Sequence, residues 1–315
     1  MVDSAPFEFN HFQATEYKGL IWVIGAFQTN AFPSELPADH IWAFDPTTNE
    51  WIQGPEIPES RKRGSTGLAI YNDKFYIVGG NTIGHNGGYV NWFDEYDPAT
   101  GVWTALTDAP RARDHFHVVV IGTKLYAAGG RLSGGAEGYF KPVIPQVDVF
   151  DFVTGSWNTL PDAQNIPTPR GAAMAINFKD KLVVIGGEVF NELVYGVNIN
   201  DALKITEQYD PVTGSWSRLA DLNFERHGTQ AIVSIRGGGN QKNMEVFGVN
   251  SPQGSAIVAS ELTAPSSVLI ASGTTETIAL EVVGGNVGKF VRSIQLGGPD
   301  AGDFSIVSGS LINTL

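Results

Sequence analysis

The chain contains no Cys among its 315 residues. Disulfide bonds, zinc–thiolate sites, iron–sulfur clusters and thiol nucleophiles are therefore excluded. It also lacks a run of about 18 apolar residues that could cross a bilayer, and residues 1–20 lack the layout of a signal peptide. Basic residues are scarce, since 20 Lys and Arg stand against 33 Asp and Glu. The net charge of −13 argues against nucleic acid and anionic membrane surfaces as partners, and the lack of a long apolar run argues against membrane insertion.

Internal repeats are the strongest signal that the sequence does carry. In each of four segments an aromatic residue precedes an Asp, and a Trp follows six residues after that Asp. The Trp residues are 52, 54 and 59 positions apart, which indicates a structural unit of about 50 residues. The four segments are FDPTTNEW (44–51), YDPATGVW (96–103), FDFVTGSW (150–157) and YDPVTGSW (209–216).

A second series of motifs lies between these segments and consists of β-branched and aromatic runs that end in glycine. Its members are LIWVIGA (20–26), FYIVGG (75–80), LYAAGG (125–130) and LVVIGG (182–187). Each unit therefore contains four short strands, and no segment has a helical period. The pattern predicts four-stranded antiparallel sheets over 9–54, 63–106, 113–160 and 170–219, with Trp51, Trp103, Trp157 and Trp216 mostly buried.

The glycine doublets at 79–80, 129–130 and 186–187, together with the aromatic–Asp and Trp positions, resemble kelch repeats. The resemblance covers about residues 5–248 and implies an all-β, kelch-type β-propeller. We expect four full blades and one abbreviated blade, because the unit that opens at Arg226 continues into RGGGNQKNMEVFG (236–248) without a second Gly-Gly strand. Such a chain would be incomplete relative to a five- or six-bladed member of the family.

Residues 249–315 do not continue the repeat pattern. Residues 249–260 are predicted to be a linker between the propeller (1–248) and a partial β-sandwich (261–315), because alternating strand patterns return in TETIALEVV and GKFVRSIQL. The segment LGGPDAGDFSI (296–306) resembles the immunoglobulin-like domains of the choice-of-anchor D type found in bacterial surface proteins. That resemblance implies a secreted, extracellular or cell-surface protein of bacterial type.

Four arginines are candidates for ligand binding. Arg63, Arg113 and Arg170 each lie 16 residues before the first glycine of a doublet, Arg226 has the same position in the abbreviated unit, and Phe9 has it in the first. Kelch propellers often use an Arg at this entry position to contact a ligand, so the resemblance implies a row of guanidinium groups at one rim of the channel. These groups would favour an anionic ligand. Alternatively, each Arg is paired with an acid or a carbonyl of the scaffold.

Histidines follow the arginine positions. His11 and His115 come two residues after Phe9 and Arg113, and His115 alternates with His117 along one strand. Two histidines on one strand face need a third ligand to hold a metal ion, and no carboxylate is placed by spacing. The sequence therefore predicts histidines that line the channel and bond to neighbouring groups, with no metal and no cofactor.

Aromatic residues are frequent in the long loops that follow the glycine doublets. Tyr89, Trp92, Tyr139 and Phe140 are the main candidates, and Phe32, His85, Phe190 and Tyr195 occur in the same loops. Aromatic rings beside amide groups suit the apolar faces of sugar rings, so a glycan or a protein segment is the expected ligand. The alternative is that these side chains fold inward and fill their own loops.

The kelch-type enzymes that this sequence resembles need particular residues, and the sequence can be checked for them. Galactose oxidase activity is excluded, since its copper site needs a Tyr–Cys crosslink, and the E-x3-D-x3-H run of iron-dependent kelch specifier proteins does not occur. A sialic-acid mutarotase needs only acid–base side chains and is the alternative function, although no catalytic residue is singled out. The sequence favours a non-enzymatic module that recognises a glycan or a protein.

Overall fold

The computed structural model describes residues 4–190 and 201–231, and in addition the backbone of four short strands within 192–199, 260–263 and 281–284. The helices in these residues are short 3-10 turns at Glu59–Arg61, Gly84–Asn86 and Asp162–Gln164. All other regular structure in the described residues is β-strand. Packing divides the chain into two compact units, residues 1–245 and 246–315.

Four sheets of four antiparallel strands make up the first unit, and each sheet is one blade. Blade 1 contains β1 (Ala14–Tyr17), β2 (Leu20–Val23), β3 (His40–Asp45) and β4 (Glu50–Glu56). Blade 2 contains β5 (Gly67–Tyr71), β6 (Lys74–Val78), β7 (Phe93–Asp97) and β8 (Val102–Ala105). Blade 3 contains β9 (Val118–Ile121), β10 (Lys124–Ala127), β11 (Asp148–Asp151) and β12 (Ser156–Thr159). The sheets of blades 2, 3 and 4 fall within the predicted spans, and that of blade 1 ends two residues beyond 54, so the prediction of kelch-type blades is confirmed.

Blade 4 carries an insertion. Its sheet contains β13 (Met174–Phe178), β14 (Lys181–Ile185), β17 (Thr206–Asp210) and β18 (Ser215–Arg218), and a hairpin of β15 (Glu192–Val194) and β16 (Val197–Ile199) lies between β14 and β17 in the chain. In the second unit, β19 (Ser260–Thr263) pairs antiparallel with β20 (Glu281–Gly284). Most of the abbreviated blade, the linker and the sandwich lies outside the described residues, and these three stay predictions.

The repeated Asp explains the outer hairpin of every blade. Asp97 accepts a hydrogen bond from the backbone N–H of Ala99 at 2.8 Å, and Asp151 accepts one from Val153 at 2.8 Å. Asp45 and Asp210 bond in the same way two residues ahead. A carboxylate that captures the N–H two residues on forms a turn by itself, so the motif fixes the connection between the third and fourth strands.

The hydrophobic core lies between neighbouring blades rather than within one. Phe93 of blade 2 packs on Phe150 and Trp157 of blade 3, with ring centroids 4.8 and 5.1 Å apart. The four repeat Trp residues are half-buried, less than predicted, because each lies on the outermost strand with one edge at the surface. Two of them also join blades by hydrogen bonds: Trp157 Nε1 donates to the carbonyl of Thr107 and Trp216 Nε1 to that of Gln164.

The first strands of the blades line a central channel of about 480 Å³, to which residues 230 and 231 also contribute. Glycine is required where a blade approaches the next one. Gly79 has φ +62°, and a Cβ there would lie 2.4 Å from the carbonyl oxygen of Arg113. Its neighbour Gly80 donates its N–H to that same carbonyl at 2.8 Å. Among the described residues, no helix is long and apolar enough to cross a membrane.

Candidate functional site

The row of arginines braces the scaffold and does not face the channel. Arg63, Arg113 and Arg170 are buried, so the prediction that their guanidinium groups are exposed at the rim is wrong. Arg63 bonds to the carbonyls of Gly79 and Ile77, at 2.6 and 3.1 Å, at the end of its own second strand. Burial lowers the pKa of Arg113 to about 10, which leaves it charged at neutral pH. Arg226 is buried too, and its carbonyl accepts the N–H of Gly187.

Each of the three arginines also pairs with a buried acid. The pairs are Arg63 with Asp94 at 2.8 Å, Arg113 with Asp148 at 2.5 Å and Arg170 with Glu207 at 2.5 Å. Each acid lies three residues before the repeat Asp of its blade, in FDEYD, DVFD and EQYD. In blade 1 the same two positions hold Phe9 and Trp42, whose rings are 6.0 Å apart. The two positions thus change together, from Arg and acid in blades 2 to 4 to two aromatic residues in blade 1. This joint change indicates in the sequence that the two residues contact each other and support the blade.

A series of backbone hydrogen bonds links successive blades at the residue two positions after each of these arginines or its equivalent. Ser65 N–H donates to the carbonyl of His11, His115 to Ser65, Ala172 to His115, and Gly228 to Ala172, over 2.6–3.1 Å. All five residues have positive φ between 49° and 59°. This conformation is unfavourable for the four that carry a Cβ, so packing between blades must enforce it. The same backbone turn aims the side chains of His11 and His115 into the channel mouth.

Three histidines meet there, and one of them comes from a loop. His85 lies in the 3-10 turn of the β6–β7 loop and joins His11 and His115, with ring centroids 4.6 to 5.0 Å apart. We call these three residues the histidine cluster. His117 does not belong to it, because it lies in the channel wall and its Nδ1 accepts the N–H of Ala175 at 3.4 Å. Sequence spacing missed the cluster, since its members come from blades 1, 2 and 3.

Charged groups surround the histidine cluster. Glu35 Oε1 lies 2.8 Å from His85 Nδ1, and Asp114 Oδ1 lies 2.5 Å from His115 Nδ1. Arg131 is buried between His85, 3.2 Å from its Nε2, and the carboxylate of Glu188, with which it forms an ion pair. Burial opposes the charge on Glu188, but Arg131 and the neighbouring His227 and His85 together outweigh it and lower the pKa of Glu188 below its usual value. None of Glu35, Arg131 and Glu188 was singled out from the sequence.

Aromatic side chains lie directly over the histidine cluster. Phe32 contacts His85, Tyr139 and Phe140, with ring centroids 4.9, 5.3 and 6.4 Å apart. Phe140 stacks on Phe190 at 5.3 Å and lies over the Arg131 guanidinium at 4.9 Å. We call Phe32, Tyr139, Phe140 and Phe190 the aromatic cluster. Its members come from the loops of blades 1, 3 and 4, so these loops do rise on one face.

The other two aromatic candidates lie apart from this cluster. Trp92 is half-buried, and its ring centroid lies 4.6 and 5.4 Å from the guanidinium groups of Arg61 and Arg63. It therefore packs on the arginines that brace the scaffold. Tyr89 is exposed in the loop of blade 2. The structure therefore brings together His11, His115, Tyr139 and Phe140 from the predicted set, separates them from the arginines, and adds His85 and Phe32.

Comparison with known proteins agrees with this geometry. Residues 11–248 match the model of the KLHDC2/KLHL20/DRC7 Kelch-repeats domain. Because that match covers most of the chain, the protein belongs to the kelch-repeat family. Among solved structures, that of YjhT superposes with a TM-score of 0.56 over 70% of this chain and 73% of the other, at 16% identity. A likeness at that identity shows the shared propeller fold.

Several curated relatives are similar in sequence. Kelch-like protein terF of Aspergillus terreus is 28% identical over 240 residues, which are 72% of this chain and 48% of the relative. Beta-scruin of Limulus polyphemus is 24% identical over 80% of this chain and 26% of its own length. N-(sulfonatooxy)prop-2-enimidothioate sulfolyase of Thlaspi arvense is 25% identical over 62% of this chain and 58% of its own length. The chain thus spans about half or less of the first two relatives.

Proposed function

We propose that this protein is a non-enzymatic binding module that holds a segment of another protein on the aromatic cluster. The observation that carries the proposal is the exposure of three rings that gather around a fourth, Phe140. Phe32, Tyr139 and Phe190 are 54%, 41% and 42% exposed, and Phe140 touches all three from beneath. Large apolar side chains that stay exposed next to one another on the loops of a rigid scaffold are typical of interaction sites.

The chemistry of the cluster favours a peptide with an apolar side chain. Three of its four rings are phenyl groups, which offer no hydrogen-bonding atoms, whereas the recognition of sugar hydroxyls needs polar partners beside the stacking ring. Below the rings, Arg131 and Glu188 supply polar groups at the base of the site. An apolar anchor between the rings, with its backbone over this base, has the composition of a binding hot spot. The argument for an anionic ligand loses its support, since Arg63, Arg113 and Arg170 are buried in ion pairs and Arg226 is buried as well.

Peptide selection tests the proposal. A random peptide library displayed on phage is selected on the full chain, and the enriched peptides are synthesised and titrated by fluorescence polarisation. Truncation of a hot-spot aromatic costs about 2 kcal/mol, so Phe32→Ala is expected to weaken binding about 30-fold. Val212→Ala is the control: Val212 is 93% exposed, but it lies in the β17–β18 turn at the opposite end of the strands.

The outcomes separate the two ligand classes. Enriched peptides that lose affinity in Phe32→Ala and Tyr139→Ala, but not in Val212→Ala, support a protein ligand. A glycan array probed with the same four proteins measures the other class. Glycan binding that depends on Phe32, with no enriched peptide, overturns the protein assignment and keeps the site. Binding that is equal in all four proteins overturns the site itself.

A second candidate function is a sugar-active enzyme of the mutarotase type, and the ionisable groups beneath the rings favour it. His85 is buried and Glu188 is four-fifths covered at the channel mouth, and the pKa of each is shifted below its usual value. Acid–base groups with shifted pKa values in a cleft are typical of catalytic sites. The test is the rate at which sialic acid anomers equilibrate, followed by NMR. A rate above buffer that Glu188→Gln abolishes would support the enzyme, and a rate equal to buffer would exclude it.

The remaining predictions concern the whole protein. We propose that the C-terminal residues 261–315 form a partial immunoglobulin-like sandwich and that the protein acts outside the cell, as the resemblance of LGGPDAGDFSI implies. Both stay predictions. Fractionation of the source cells with an antibody against the propeller would locate the protein, and detection only inside the cell would contradict the second.

A further inference from the structure

The histidine cluster has the arrangement of a metal site. One ring nitrogen from each of His11, His85 and His115 lies within 4.8 Å of the other two. In a tetrahedral zinc site with Zn–N bonds of about 2.1 Å, the nitrogens are about 3.4 Å apart. Binding of an ion therefore requires the three rings to rotate toward their common centre. The three ligands come from separate blades, so the site depends on the assembled propeller.

Each ring is held through its Nδ1 nitrogen. The Nδ1 atoms of His11, His85 and His115 contact the side-chain oxygens of Asn10, Glu35 and Asp114 at 2.5, 2.8 and 2.5 Å. An oxygen acceptor at Nδ1 fixes the proton there and leaves the Nε2 lone pair available. Metal-binding histidines in proteins almost always have such a partner on the second nitrogen. The presence of this partner on all three rings is a second observation that points to a cation.

The charge around the rings also suits a cation. Glu35 and Asp114 place carboxylates against His85 and His115, and a third carboxylate, Glu188, pairs with Arg131.

We propose that His11, His85 and His115 bind one divalent transition-metal ion, with zinc as the reference ion. Three imidazoles leave a fourth coordination position, and the aromatic cluster covers the side on which a ligand would enter. Imidazole ligands suit zinc, copper, iron and nickel, whereas magnesium and calcium prefer oxygen. The proposal replaces the expectation of no metal, which considered only His115 and His117.

Two neighbouring groups compete with the ion for nitrogen lone pairs. Arg131 Nη2 lies 3.2 Å from His85 Nε2, and Ser65 Oγ lies 3.4 Å from His115 Nε2. The serine contact is long for a hydrogen bond and costs little to lose. The arginine contact must break when the ion binds, and the ion pair with Glu188 then holds the guanidinium aside. Glu188 is therefore part of the arrangement without being a ligand.

Metal titration of the full chain, prepared without a histidine tag and dialysed against EDTA, tests the proposal. We expect one equivalent of Zn²⁺ by calorimetry and a rise in Tm, since an ion that binds only the folded state stabilises it. Co²⁺ reports on geometry, because a four-coordinate site gives intense visible absorption bands. Failure of both ions to bind in one equivalent overturns the proposal.

Variants assign the ion to these three residues. His85→Gln and His11→Gln are expected to abolish the Co²⁺ bands, whereas His40→Gln, a histidine at the start of β3, should keep them. Glu35→Gln retains a hydrogen-bond acceptor for His85 but removes its charge, so it should weaken Zn²⁺ binding 10–100-fold and leave one equivalent bound. Circular dichroism of each variant in EDTA confirms folding. If His85→Gln folds and still gives the Co²⁺ bands, the site is elsewhere and the proposal is wrong.

Discussion

The side chain of Gln13 forms two hydrogen bonds with the backbone of Val118, which is 105 residues away in sequence. Gln13 Nε2 donates to the carbonyl of Val118 and Gln13 Oε1 accepts its N–H, each at 2.9 Å. The same Oε1 also accepts the N–H of Leu68 at 2.9 Å. One amide group thus joins the first strands of blades 2 and 3 to the segment that leads into blade 1, inside the channel.

Replacement of Gln13 should destabilise the propeller. Gln13→Leu removes the three hydrogen bonds and leaves buried backbone groups of Leu68 and Val118 without these partners, which costs about 1–3 kcal/mol per group that stays unsatisfied. We expect the free energy of unfolding in urea to fall by about 3 kcal/mol. Gln53→Leu, on the exposed face of β4, is the control and should change it by less than about 0.5 kcal/mol. Equal losses of unfolding free energy in Gln13→Leu and Gln53→Leu would show that the hydrogen bonds of Gln13 do not stabilise the propeller.

The buried ion pairs predict a second stability effect. Arg170 and Glu207 are fully buried, so Arg170→Ala leaves a carboxylate in the interior and should cost about 3–5 kcal/mol. Arg218 pairs with Asp221 at the surface, and Arg218→Ala should cost less than about 1 kcal/mol. Thermal unfolding of both variants measures the difference. If Arg170→Ala kept its Tm but lost binding of a peptide or glycan, the arginine would be a ligand contact after all.

The sequence is sufficient to place the arginines but not to orient them. Equal spacing from the glycine doublets puts Arg63, Arg113 and Arg170 at one height in successive blades, and the structure agrees. Their direction depends on carbonyl groups at the end of the second strand and on acids from the third strand, which meet them only after folding. The acids Asp94, Asp148 and Glu207 were visible in the repeats, but a pairing across more than 30 residues has no local period.

The site was harder to predict than the blades for the same reason. Sequence repeats reveal only the residues that every blade has in common. The histidine cluster uses positions that differ between blades: two residues after the bracing Arg or its equivalent, the chain has His, Ser, His, Ala and Gly in successive units. His85 enters from an irregular loop, and its partner Glu35 comes from the loop of another blade. A ligand site whose residues each occur in only one blade cannot be found by comparing the repeats.

The close approach of the blades makes a glycine substitution informative. A Cβ at Gly79 would lie 2.4 Å from the carbonyl oxygen of Arg113, which is backbone and cannot move aside, whereas Gly101 has a similar φ of +73° with nothing within 4 Å. Gly101→Ala should therefore cost only the strain of a left-handed residue, about 1–2 kcal/mol. Gly79→Ala carries that strain and a clash, and we expect at least twice the loss in urea unfolding. Equal losses would show that the blades can separate to admit a methyl group.

The pH dependence of stability should reveal His117. Its Nδ1 accepts the N–H of Ala175 and burial lowers its pKa to about 4, partly offset by a hydrogen bond to the backbone of Phe12. His117 therefore stays unprotonated in the folded protein at a pH near 6.5, where the same residue takes up a proton in the unfolded chain. Stability is complete above that pH and is lost as the pH falls toward 4, by about 2 kcal/mol between pH 7 and 4.5 for this one residue.

His117→Gln isolates that contribution, because the amide keeps a donor and an acceptor but does not titrate in this range. Urea unfolding of both proteins at pH 7 and pH 4.5 gives four free energies of unfolding. Other titrating groups, including the histidine cluster, are common to both proteins and cancel in the difference. We expect the wild type to lose about 2 kcal/mol more than the variant on acidification. A difference that does not change with pH would mean that His117 is protonated in the folded channel, and that Ala175 does not bond to its ring.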